Sequence, residues 1–159
     1  MYVVVPPPSC RNGSIWRSDG VDDAASEGIA SSFPGREECL VRTAIISDIH
    51  GNLEALTVVL EDIATRKTDR IICLGDILGY GPDPVACVDL IAEHCEWSLM
   101  GNHDYGALYE PTNFNAAAEQ AAYWTRAQFE LESDESAAAR RWKFLGRLKV
   151  RVAFDNFVC

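Results

Sequence analysis

The sequence predicts an α/β fold built on a parallel sheet. Three apolar runs carry that prediction: residues 43–47, 70–74 and 96–100, each bounded by turn residues and parted from the next by a segment with helical spacing. Alternation of strand and helix in this manner belongs to parallel sheets. Each run is followed at once by a polar cluster: Asp48-Ile49-His50, then Gly75-Asp76, then Gly101-Asn102-His103-Asp104. The strands of a parallel sheet end on one rim, and ligand sites form in the crevice outside it. The three clusters should therefore meet.

In chain order, residues 1–40 are rich in Pro, Ser, Gly and Asp, with Pro6-Pro7-Pro8 and Phe33-Pro34-Gly35 among them. Such a segment buries too little apolar area to offset the entropy of ordering, so it is expected to be disordered or loosely held. After the first strand, Asn52 is placed to cap a helix whose apolar positions Leu53, Leu56, Val59, Leu60 and Ile63 recur at helical spacing. The second strand leads into a loop closed by Gly79, Gly81, Pro82 and Pro84, in which Tyr80 reads as a turn residue or a substrate contact. Asp83 is expected to cap the next helix, with Pro84 in its first turn and His94 at its dipole-complementing end. Beyond Asp104, 111–114 reads as a turn, and Asn115 begins an Ala-rich helix to about Phe129. A further helix is expected from Asp134 to about Leu145, with Ser133 as cap and Gly146 as stop. Residues 150–159 alternate imperfectly and read as one more strand.

Composition narrows the function. At 159 residues and 48% hydrophobic content the chain can form one domain with a core. A net charge of −10 argues against a nucleic-acid surface, which needs a basic patch. Six cysteines show no C-x-x-C spacing and read as small apolar fillers in a reducing compartment rather than a disulfide framework. No apolar run approaches the ~20 residues that span a bilayer, and the opening Met1-Tyr2-Val3-Val4-Val5 is too short for a signal segment. A cytoplasmic, membrane-free protein is the expectation.

The converging groups are two carboxylates (Asp48, Asp76), two imidazoles (His50, His103) and an amide oxygen (Asn102). Mixed oxygen and nitrogen donors without thiolate suit a divalent ion such as Mn, Fe, Zn or Co and disfavour a Cys-type structural zinc site. In this order, each on a strand end, D-x-H, G-D-x-x-x-x-G and G-N-H-D resemble the calcineurin-like metallophosphoesterase family. Gly51-Asn52-Leu53-Glu54-Ala55-Leu56 and Gly79-Tyr80-Gly81-Pro82-Asp83-Pro84 are similar to its bacterial branch related to protein phosphatases and diadenosine tetraphosphatases.

The resemblance implies a β-sandwich flanked by helices and two divalent metal ions that activate a hydroxide to hydrolyse phosphate esters or anhydrides. It implies that Asp48 and His50 bind the first metal, Asp76 bridges both and Asn102 binds the second. His103 would face the substrate as proton donor or transition-state stabiliser, with Asp104 orienting its ring. The substrate would be a phosphorylated small molecule or a phosphoprotein. A domain of this kind starts near its first strand, so residues 1–40 read as a leader or an extension from a misassigned start, with Leu40 or Val41 near the true beginning. Residues 41–159 read as a partial domain.

The family's later half brings further ligand histidines, whereas no histidine follows Asp104 here. The chain is therefore expected to carry the first half of the sandwich, truncated before the second. An open sheet edge would then favour self-association. A catalytically silent metal-binding or interaction module is the alternative function. A nucleotide-binding α/β domain ranks behind both, because neither G-x-G-x-x-G nor a G-x-x-x-x-G-K-[ST] loop is present.

Overall fold

The computed structural model describes residues 2–5, 41–154 and 157–159. The central sheet holds β1 (Tyr2–Val5), β2 (Thr43–Ile46), β3 (Arg70–Cys73) and β4 (Trp97–Ser98), in that spatial order. β2, β3 and β4 run parallel, in the register Ile46 to Cys73 and Cys73 to Ser98. Ala44, Ile46, Ile72 and Cys73 are buried, so this sheet carries the near-continuous apolar pattern of parallel strands covered by helices.

Five helices lie among the described residues. α1 (Leu53–Thr65) and α2 (Pro84–His94) are the two crossovers. Asn52 caps α1 as expected, its side chain accepting from the Ala55 N–H at 3.0 Å. Asp83 holds the cap position of α2 but makes no side-chain capping bond; its N–H is instead committed to the Gly51 carbonyl at 3.0 Å, which ties this loop to the one after β2. α3 (Asn102–Leu108), α4 (Ala116–Glu130) and α5 (Glu135–Leu145) follow. Ile46, Ile63, Cys73, Val88, Ile91 and Leu145 join sheet and helices in one core. An ion pair at the surface of the helical side adds to this: Arg141 donates to both carboxylate oxygens of the exposed Asp89 on α2, at 2.8 and 2.7 Å, and to Glu132 before α5. No helix among the described residues is long and apolar enough to cross a membrane.

Three sequence expectations are corrected. Tyr2–Val5, expected to be loosely held, forms an antiparallel strand on the free edge of β2, pairing Val3 with Ile45 and Val5 with Thr43. Four residues of high strand propensity suffice to complete that ladder. The rest of the leader, residues 6–40, lies outside the described residues. The cap of α5 is Asp134 rather than Ser133, because the Asp134 carboxylate reaches the N–H groups of Ser136 and Ala137. The terminal strand is divided: Lys149 bridges to Leu99 beside β4, and β5 (Ala153–Phe154) and β6 (Phe157–Val158) form a separate antiparallel pair.

Candidate metal centre

The rim of the parallel sheet is assembled by backbone bonds between the loops after β2 and β3. Asp48 N–H donates to the Gly75 carbonyl at 3.2 Å, Ile49 and His50 both donate to the Asp76 carbonyl at 2.9 Å, and Gly51 donates to Ile77 at 2.9 Å. The zipper continues the strand register past the strand ends, and it requires Asp48, His50 and Asp76 to adopt the left-handed backbone region, at φ of 57°, 51° and 53°. Such conformations cost energy in non-glycine residues and concentrate at functional sites.

The outcome is a cluster of donors: one ligand atom each from Asp48, His50 and Asp76 lies within 4.8 Å of the other two. The His50 ring is oriented for this. Its Nδ1 sits 3.0 Å from the Leu78 carbonyl, which can only accept, so Nδ1 carries the proton and the lone pair is left on Nε2. Nε2 faces Asp48 Oδ1 at 3.9 Å. A histidine held by a carbonyl at one nitrogen and facing carboxylates with the other has the arrangement of a metal ligand. Two carboxylates this close also repel, by about 1 kcal/mol at 4 Å in water and about 4 at an effective dielectric of 20, and a cation between them removes that cost. The donor set fits a divalent ion with oxygen and nitrogen preference.

The third cluster joins through α3. The His103 N–H donates to Asp76 Oδ1 at 2.8 Å, fixing the carboxylate; Asn102, the residue before His103, is exposed. Gly101 must approach closely, since a Cβ there would strike Asp76 Oδ1. The His103 ring packs against His50 (4.8 Å between centroids), Tyr80 (4.6 Å) and Phe114 (4.7 Å). Its Nδ1 is buried with no hydrogen-bond partner among the described residues. Burial and the facing His50 hold this imidazole below the ordinary range, against the opposing pull of Asp76 and Asp48.

Asp104 has a different task from the one expected of it. It is fully buried, and its carboxylate accepts from three backbone N–H groups, those of Asp76, Leu78 and Gly101, each at 2.9 Å. Both of its oxygens are taken up by these backbone N–H groups, and the His103 Nδ1 has no hydrogen-bond partner among the described residues. Burial pushes its carboxyl above the usual range while the three N–H bonds pull it down. Asp104 is thus the tie between the loops after β3 and β4. Sequence reasoning also missed Phe114 as backing for His103 and the Leu78 carbonyl as the anchor of His50. Phe114 carries no periodic signal, and a carbonyl leaves no trace in side-chain pattern. His94, at the exposed end of α2, stays outside the cluster, in keeping with its reading as a helix-end residue.

Comparison with known proteins gives a consistent picture. The sequence model of the calcineurin-like phosphoesterase family matches residues 41–154. A protein of Methanocaldococcus jannaschii described as uncharacterized is 51% identical over 85 residues, covering 52% of this chain and 35% of its own length. Serine/threonine-protein phosphatase 1 of Salmonella typhimurium is 31% identical over 65 residues, covering 40% of this chain and 30% of its own. The crystal structure of a metallophosphoesterase from Sphaerobacter thermophilus superimposes with a TM-score of 0.58 at 36% identity, over 74% of this chain and 45% of that one. The chain thus spans less than half the length of each of these relatives.

Proposed function

The chain belongs to the calcineurin-like phosphoesterase family, and on that premise we propose a metal-dependent phosphoesterase centred on Asp48, His50, Asp76 and Asn102. The observation that carries this reading is the approach of donor atoms from Asp48, His50 and Asp76 to within 4.8 Å of one another. Asp48 and His50 would hold one divalent ion, Asp76 would be shared with a second, and Asn102 would serve that second ion without adding negative charge. Bound divalent ions of this kind supply Lewis-acid polarisation of phosphoryl oxygens and a water that ionises near neutral pH.

The chain's own residues do the rest. The Leu78 carbonyl keeps the proton of His50 on Nδ1, so Nε2 stays available as a donor. The His103 N–H bonds Asp76, and the role proposed for the His103 imidazole, packed at the same rim, is to give a proton to a leaving oxygen. The proposed substrate is a phosphate ester or anhydride on a small molecule or a phosphoprotein. The likeness to a protein named serine/threonine-protein phosphatase 1 supports including the latter. A cytoplasmic location is proposed on the free, buried thiols of Cys73 and Cys87, which suit a reducing compartment. Self-association through the outer strand β1 is proposed as well, since Val3 is 53% exposed on that edge.

The test is hydrolysis of an aryl phosphate with added Mn2+. Activity that is lost in Asp76→Asn supports the proposal; metal-independent activity, or turnover undiminished in Asp76→Asn, refutes it. A second reading, metal binding without turnover, is favoured by the three-donor size of the His and Asp cluster among the described residues. Calorimetry showing a single bound ion and no hydrolysis would decide for it.

A further inference from the structure

We propose that Tyr80 determines the specificity of this centre by offering its ring as a platform for an aromatic group carried on the phosphate substrate. The assignment rests on the phosphoesterase reading above. It starts from backbone conformation. Among the described residues six non-glycine positions have positive φ: Asp48, His50, Lys67, Asp76, Tyr80 and Asn113. Three are the proposed metal ligands. Asn113 is of a type that tolerates this region, and Lys67 directly follows the cap of α1, where chains commonly turn left-handed. Tyr80, at φ 55°, is the bulky one, and a bulky aromatic there is a conformational outlier.

Packing does not account for it. Tyr80 is 57% exposed, so burial contributes little, and glycine or asparagine would fill such a turn at lower cost. What the ring does meet is the site: it lies 5.1 Å from the His50 ring, edge-on, and 4.6 Å from His103. With Phe114 behind His103, the rim beside the metal donors becomes an aromatic wall.

That wall is rigidly mounted. Gly81 N–H donates to the His50 carbonyl at 2.7 Å, and a Cβ on Gly81 would strike that same oxygen, so the loop carrying Tyr80 is pressed onto the backbone that carries His50. The Leu78 carbonyl holds His50 Nδ1 from the other side. A ring fixed in advance loses little entropy when a ligand stacks on it. An aromatic substituent leaving the metal donors would meet the exposed Tyr80 ring, which lies at the same rim 5.1 Å from the His50 ring and 4.6 Å from that of His103. In a chain of net charge −10, stacking also adds affinity for an anion without needing a positive residue.

The experiment measures binding to the full chain loaded with Mn2+, by calorimetry, for the uncleavable phosphonate counterparts of phenyl phosphate, cyclohexyl phosphate and adenosine 5′-phosphate. Variants are Tyr80→Phe and Tyr80→Asn, the latter chosen because asparagine suits the backbone and keeps the fold. The expected result is a preference for the planar ligand over the cyclohexyl one, retained in Tyr80→Phe and reduced roughly tenfold in Tyr80→Asn, as for aromatic stacking elsewhere. Mn2+ affinity and inorganic phosphate binding should be unchanged, and the melting temperature of Tyr80→Asn unchanged or higher. The phenyl ligand favoured over the nucleotide one identifies an aryl ester as the ligand; the reverse identifies a nucleobase. Equal losses for planar and cyclohexyl ligands, or no loss, overturn the assignment while leaving the phosphoesterase reading intact. Failure of the parent chain to bind Mn2+ overturns both.

Discussion

Replacing Asp104 tests how the two halves of the rim are held together. Its carboxylate, fully buried, accepts from the N–H groups of Asp76 and Gly101 through Oδ2 and of Leu78 through Oδ1. Hydrogen bonds to a charged group contribute about 1.5–3 kcal/mol each, and the desolvation of a buried carboxylate offsets several kcal/mol of that total. Asp104→Ala removes the acceptor and strands three donors, for an expected loss of about 3–5 kcal/mol. Asp104→Asn keeps an oxygen for the two donors that share Oδ2 but turns its amide nitrogen toward Leu78 N–H. One lost bond and one stranded donor predict a loss of about 2–3 kcal/mol. Urea unfolding followed by tryptophan fluorescence measures both, with the slope expected unchanged and the midpoint lowered. A loss below about 1 kcal/mol for the alanine variant, or equal losses for the two variants, would refute the description of Asp104 as a backbone tie.

Two other perturbations separate contact from conformation and from reactivity. Gly101 has φ −76°, open to alanine, so Gly101→Ala acts only through the close approach to Asp76. It should lower stability by about 1–3 kcal/mol, as overpacking does, and weaken Mn2+ binding; calorimetry finding parental Mn2+ affinity would contradict the contact. Burial pushes the Cys73 thiol up to about 11, Cys87 up to about 12 and Cys95 higher still. Alkylation at pH 8 with mass mapping should therefore leave these three unmodified until the protein is unfolded, and rapid labelling of any of them in the native state would contradict the core packing.

The strand ends were legible because apolar runs followed by Asp-x-His, Gly-Asp and Gly-Asn-His-Asp carry their own punctuation. The helices were legible where caps and spacing agree: Asn52 and Asn115 both accept from the N–H three residues on. α3 was not, since seven residues give no periodic signal and its first turn is fixed by Asp104, whose partners at Asp76 and Leu78 lie in another loop. Asp104 looked like a partner of His103 because neighbours in sequence suggest neighbours in space. In a helix start the adjacent side chains point apart, and the backbone N–H groups nearby were the stronger claim on a buried carboxylate. β1 was hidden for another reason: Tyr2–Val5 reads as a strand only once the edge of β2 is there to receive it.

Diffraction from crystals soaked in Zn2+, with anomalous maps at the zinc edge, tests the metal centre most directly. The account predicts an ion about 2.0–2.2 Å from a carboxylate oxygen of Asp48, from Nε2 of His50 and from Asp76, with His50 Nδ1 still on the Leu78 carbonyl. Zinc bound elsewhere, or a His50 ring turned to present Nδ1, would contradict it.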